Sequence, residues 1–185
     1  MKIFRQITFS TIIIMFLTAC HSQKNGTPQN DNTSNDTEIS EQKESETQSE
    51  QISFVMEDIN GNQVSVKDVF SKNKITIIDF WASWCGPCRR EMPSVVEAYK
   101  AYKAKGLEVV GVSLDTDMAA WKKAITDLNI TWPQMSDLKG WQNAGAALYG
   151  VRSIPATVLI NQEGKIVARN LRGEELLTKL EELMK

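Results

Sequence analysis

Histidine is almost missing from this 185-residue chain, and the single one, His21, sits beside one of only three cysteines, Cys20. Beyond residue 50 there is no histidine, and the two remaining cysteines are Cys85 and Cys88. A tetrahedral Cys/His zinc site needs four ligands of these types, so none can form there, and no metal or other cofactor is expected. Mechanisms built on a histidine general base are excluded for the same reason. Charge of one sign is also scarce. Residues 51–185 carry 17 Lys+Arg against 16 Asp+Glu, so no basic surplus points to nucleic acid and no block of like charge points to a polyanion. Internal repeats are lacking, and the scattered Met and Trp residues read as core or rim. The only disulfide that residues 51–185 can make internally joins Cys85 to Cys88.

The first fifty residues have a different composition from the rest. Lys2 and Arg5 precede a mostly apolar run from Ile7 to Leu17. That run is shorter than the roughly 20 apolar residues of a membrane-spanning helix, and it reads as a targeting segment. It ends in Leu17-Thr18-Ala19-Cys20, which resembles the lipobox of bacterial lipoproteins. The resemblance implies a signal peptide over residues 1–19, cleavage before Cys20, and lipidation of Cys20. Residues 21–50 hold one large apolar side chain, Ile39, and seven acids against two lysines. Such a stretch buries too little apolar surface to offset its ordering entropy. Residues 20–50 are therefore expected to be a disordered tether. It would span roughly 30 Å as a coil and at most about 100 Å when stretched.

A folded domain is expected over residues 51–185. Ile52 to Met56 reads as a strand, Asp58-Ile59-Asn60-Gly61-Asn62 as a turn, and Val64 and Val66 as the alternation of a second strand. Ile75 to Trp81 is a nearly continuous β-branched and aromatic run, as in a central strand buried on both faces. Met92, Val95, Val96, Tyr99 and Tyr102 mark a helix that Pro93 should kink. Leu107 to Val112 reads as a strand. Met118, Trp121, Ile125 and Leu128 mark a helix with Asp115 to Asp117 as capping candidates, and a weaker helix is expected near Trp141 to Leu148. Strands 156–160 and 165–169 flank Asn161-Gln162-Glu163-Gly164, a hairpin signature. Leu176 to Met184 closes the chain as a helix. Early alternation of strands and helices predicts parallel pairing, and the late hairpin adds antiparallel strands.

Cys85-Gly86-Pro87-Cys88 follows the buried strand and opens a helix. A bare C-x-x-C pair can be half of a zinc knuckle, a structural disulfide or a redox dithiol. Zinc fails on ligand count, and a disulfide across a two-residue gap constrains the unfolded chain little. A helix N-terminus offers free N–H groups and positive potential, which stabilise a thiolate. Cys85 is therefore expected to be an exposed nucleophile with a lowered pKa, and Cys88, one turn on and more buried, the resolving thiol. Gly86 lets the partner's backbone approach, and Pro87 lacks an N–H that the first helical turn does not need. Arg89 and Arg90 either add positive potential or are simply solvated surface charges.

Asp79-Phe80-Trp81-Ala82-Ser83-Trp84-Cys85-Gly86-Pro87-Cys88 resembles the active-site segment of thioredoxin. Arg152-Ser153-Ile154-Pro155-Ala156-Thr157 resembles its opposing cis-proline loop, and Cys88-Arg89-Arg90-Glu91-Met92-Pro93 resembles the extracytoplasmic ResA/TlpA branch of thiol-disulfide oxidoreductases. The likeness covers roughly residues 51–185. It implies an α/β thioredoxin fold: a central mixed sheet flanked by helices, with an N-terminal β-hairpin and an inserted helix and strand over Met118 to Gln134. By this resemblance Asp79 takes the Cys88 proton, Glu91 tunes the site, and Cys85 and Cys88 form the redox-active disulfide. Ile154-Pro155 is cis and its backbone pairs with an extended substrate. Trp84 is expected to be either a flat lip that, with Gly86, Pro87, Ile154 and Pro155, binds substrate, or a residue packed at the rim.

The expected activity is thiol-disulfide exchange in the bacterial cell envelope, on the periplasmic side of a membrane that carries the lipid anchor. Protein disulfides are the expected substrates, with the haem-binding cysteines of apocytochrome c among them, and a membrane electron donor re-reduces the protein. A monomer is expected. Gly86-Pro87 is thioredoxin-like and favours a reductant, since thioredoxin works near about -270 mV. A disulfide-forming oxidase, a non-enzymatic tethered binding module and a peroxidase are the competing readings.

Overall fold

The computed structural model describes residues 53–185. The expected signal peptide, the tether with Cys20, and Ile52 lie outside the described residues. β1 (Val55–Glu57) and β2 (Gln63–Ser65) form the expected antiparallel hairpin. Its turn is held by Asp58, whose Oδ1 accepts from the N–H groups of Asn60 and Asn62 at 2.7 and 2.9 Å. The expected alternation through Val66 stops short. Ser65 Oγ accepts from Asp68 N–H and caps α1 (Val66–Phe70), which places Val66 and Phe70 one turn apart in the core.

β3 (Ile75–Trp81) is buried along its whole length, as its unbroken apolar run requires. It lies in the middle of a five-stranded sheet of order β5-β4-β3-β6-β7. Its neighbours are β4 (Leu107–Ser113), which is parallel to it, and β6 (Ala156–Asn161), which is antiparallel. The two-residue β5 (Gln134–Met135) extends the parallel side and β7 (Ile166–Arg169) the antiparallel side. The β6–β7 turn uses Gly164 at φ +83°, with Asn161 Oδ1 accepting from Lys165 N–H at 2.8 Å.

α2 (Gly86–Tyr102) follows β3 and buries Met92, Val95, Ala98 and Tyr99; it continues through Pro93 without interruption. Tyr99 meets Trp132 edge-to-face at 5.3 Å, which ties the helix to the β5 side of the sheet. α3 (Met118–Asp127) and β5 are the expected insertion. Its cap is Asp117, which accepts from Ala119 and Ala120 N–H; Asp115 is used elsewhere. The single helix expected near Trp141 to Leu148 is two pieces, a 3₁₀ turn over Gly140–Gln142 and α4 (Ala144–Leu148). Asn143 divides them, because its side chain caps α4 by accepting from Ala146 N–H at 2.9 Å. α5 (Gly173–Leu183) closes the chain and buries Leu176 and Leu180.

The topology brings three distant segments together. β3 ends at Trp81 and leads into Cys85. β6 runs the opposite way and pairs Ala156 with Phe80, so Pro155 arrives at the same end of the sheet. β7 reverses again, pairing Arg169 with Val158, and delivers Asn170 to Gly173 beside both.

Candidate functional site

The loop between β3 and α2 is pinned before the first cysteine is reached. Leu114 N–H donates to Trp81 O at 2.8 Å, and Cys85 N–H to Ala82 O at 3.1 Å. Asp115, 1 % exposed, accepts from Ser83 N–H at 2.9 Å, from Ser83 Oγ at 2.5 Å and from Ser113 Oγ at 2.7 Å. These bonds satisfy the buried carboxylate without a cation. They hold the Ser83–Trp84–Cys85 stretch against the end of β4. The sequence offered Asp115 only as a helix cap, because nothing in its local pattern reveals a partner 32 residues away.

Cys85 is the N-cap of α2. Its backbone is extended (φ -82°, ψ 100°), and its Sγ accepts from Cys88 N–H at 3.2 Å. Cys85 and Cys88 are joined as a disulfide. The helix therefore aims the Cys88 N–H and its positive end at the first sulfur, the arrangement that stabilises a thiolate once the bond is reduced. Pro87 occupies the first turn, as expected. One expectation is corrected. Cys85 was to be exposed, yet in the disulfide it is 5 % exposed and Cys88 1 %. The carbonyl oxygen of the half-buried Ile154 lies 3.9 Å from Cys85 Sγ. Trp84, Gly86 and Pro87 remain exposed around it. The exposed Arg90 lies over Gly86: a Cβ there would sit 3.5 Å from its Nη1. Arg89 is half-buried.

The Ile154-Pro155 peptide is cis. The Pro155 carbonyl accepts from Arg172 Nη2, and Thr157 Oγ1 donates to Leu171 O at 2.9 Å. Glu91 Oε1 accepts from Gly173 N–H at 2.6 Å. The segment between β7 and α5 is thus stitched to both the cis-proline loop and the cysteine helix. Sequence reasoning missed Arg172 and Gly173, since nothing near them in the chain resembles a site.

Asp79 is buried in mid-sheet, between Gly111 and Thr157. Burial, helped by the charge of Glu91 and opposed by that of Arg172, pushes its carboxyl up to about 7. A carboxyl that titrates near neutrality can accept a proton and return it at working pH. Trp84 is 56 % exposed, and Trp141, which the sequence reading did not single out, is 53 % exposed with its ring centroid 6.3 Å from that of Trp84.

A disulfide at a helix N-terminus, opposite a cis-proline loop on a mixed β5-β4-β3-β6-β7 sheet, defines a thioredoxin-fold thiol-disulfide oxidoreductase. Comparison with known proteins agrees. Residues 48–169 match the model of the AhpC/TSA family. The thiol-disulfide oxidoreductase ResA of Bacillus cereus is 33% identical over 147 residues, covering 80% of this chain and 82% of that protein. ResA of Bacillus anthracis is 35% identical over 132 residues, 71% of this chain and 73% of its own. Among solved structures, the thioredoxin domain of a thiol-disulfide oxidoreductase from Bacteroides vulgatus superposes with a TM-score of 0.66 at 35% identity, covering 72% of this chain and 94% of that one. A thiol-disulfide oxidoreductase from Bacteroides fragilis gives 0.67 at 33%, covering 71% and 96%. The chain belongs to the AhpC/TSA family, and within it to the thiol-disulfide oxidoreductases of the ResA/TlpA type.

Proposed function

We propose that this enzyme reduces disulfide bonds of proteins outside the cytoplasm, working from a lipid anchor at Cys20. The observation that carries the chemistry is Cys85 Sγ, held by Cys88 N–H at the tip of α2 and faced by the Ile154 carbonyl. In the reduced enzyme the Cys85 thiolate attacks one sulfur of the target disulfide. A Cys85–substrate bond forms, the target bond breaks, and the first target thiolate leaves. Cys88 then gives its proton to Asp79 and attacks Cys85 Sγ, releasing the second target thiol. Two electrons pass to the target, and the enzyme ends as the Cys85–Cys88 disulfide. Glu91 and Arg172 set the charge around Asp79, and the Ile154-Pro155 edge, with Trp84, Gly86 and Pro87, holds an extended substrate strand.

The location rests on the signal-like segment before Cys20 and the polar tether behind it. Among the described residues no helix is long and apolar enough to cross a membrane. A membrane electron donor re-reduces the disulfide. Periplasmic proteins are the substrates, with the haem-binding cysteines of apocytochrome c among them, and the enzyme acts as a monomer. Two measurements test this. A reduction potential near that of thioredoxin, about -270 mV, is expected; a value near about -120 mV, as in a strong oxidant, would assign the enzyme to disulfide formation instead. Cys88→Ser should accumulate mixed disulfides through Cys85 in cells. Their absence, together with no acceleration of insulin reduction by dithiothreitol, would leave only a binding module.

A further inference from the structure

Two large indoles stand exposed side by side at the rim of the reactive disulfide. Trp84 precedes Cys85 in the chain, whereas Trp141 comes from the 3₁₀ turn of the far segment, with the two ring planes inclined at 56°. Single exposed apolar side chains are common, but contiguous aromatic surface marks a contact site.

Trp141 is held there by a built frame. Asn143 is fully buried and donates from Nδ2 to Asp137 Oδ1 at 2.9 Å. Asp137 also accepts from Lys139 N–H at 3.1 Å and Ala144 N–H at 3.0 Å. Gly140, at φ +58°, is buried close to Thr116, where a Cβ would come within 3.2 Å of Cγ2. The turn is thus locked on both sides of Trp141, while the indole itself stays 53 % exposed beside Trp84.

We infer that Trp84 and Trp141 together bind the polypeptide flanking the target cysteine, and that Trp141 selects substrates carrying an aromatic or large apolar side chain next to that cysteine. The occupant is an extended protein segment. The Ile154 carbonyl lies 3.9 Å from the reactive sulfur and the exposed Trp84 directly precedes Cys85 in the chain, so a strand laid along the cis-proline edge would run on to the indole pair. Small hydrophilic disulfides reach the sulfur without using the pair. The inference rests on the disulfide-exchange reading above and adds the substrate class to it.

The test uses the full-length, pre-reduced protein and two symmetric peptide disulfides, one with phenylalanine flanking each cysteine and one with serine. The wild type should reduce the phenylalanine peptide about tenfold faster at limiting concentration, in line with the value of one aromatic contact. Trp141→Ala should bring that ratio close to one, and Trp141→Phe should keep most of it. Val55→Ser, which removes another exposed apolar side chain on the β1 strand, should leave the ratio as in the wild type. Equal rates for both peptides in the wild type, or a preference that survives Trp141→Ala, would overturn the inference while the exchange reading stands. Reduction of neither peptide would overturn both.

Discussion

Asp79 shows at the level of one side chain how burial makes chemistry. Its carboxyl lies in the central strand, and desolvation, with the smaller and opposed effects of Glu91 and Arg172, carries its pKa from 3.8 to about 7. The folded value exceeds the unfolded one, so the neutral form is the one the fold favours. Stability from this group is complete below about pH 4 and is lost as pH rises through about 7. The cost of ionising it approaches about 4 kcal/mol, from roughly three pKa units at 1.36 kcal/mol each. Asp79→Asn should therefore raise the melting temperature of the oxidised protein at pH 8 and change it far less at pH 4. The same variant should slow release of a Cys85-bound substrate on the order of 100-fold, the usual worth of a positioned base. Melting curves that stay parallel from pH 4 to 8 would show that the carboxyl is not desolvated, and unchanged release would remove it from the mechanism. The cysteine pair, Asp79 and Pro155 were legible because their neighbours form recognisable strings. Asp115, Trp141 and Arg172 were not, because each acts on residues distant in the chain.

Among the elements, the β4–β5 contact is the most tightly specified. Gln134 Oε1 accepts from Trp81 Nε1 at 2.9 Å, and its side chain lies across Gly111, where a Cβ would fall 2.0 Å from Nε2. Gly111→Ala should thus displace a buried amide and break its bond to the last residue of β3. A loss of about 1–3 kcal/mol is expected from overpacking and the lost hydrogen bond, read as a lower urea midpoint with unchanged slope. A midpoint equal to that of the wild type would mean that Gln134 repacks freely. Long periodic elements such as β3, β4 and α2 were plain from their patterns. Short ones were less so. α1 is five residues long, and only the Ser65 cap distinguishes it from a continuing strand. The segment at 141–148 reads as one helix until the Asn143 side chain turns inward to cap its second half.

For the whole molecule, the proposed anchor predicts behaviour that the folded domain alone would not show. Cys20→Ala should move the protein from the membrane fraction to the soluble fraction of cells without changing its reduction potential in vitro. Retention in the membrane fraction would mean that another feature tethers it. With that anchor, a tether reaching at most about 100 Å would bound how far from the membrane a substrate can be met. From the sequence alone came the class of chemistry, the order of the longer strands and helices, and the identity of the two sulfurs, because local spacing and hydrophobic period are enough for those. The tertiary structure alone decided that the Ile154 carbonyl lies beside Cys85, that Trp141 joins Trp84 and that Arg172 reaches the cis-proline loop. The first and the last depend on antiparallel β6 and β7 returning remote residues to the end of β3, and the indole pair on the segment that follows β5; long-range placement of that kind leaves no trace in the residues next to it.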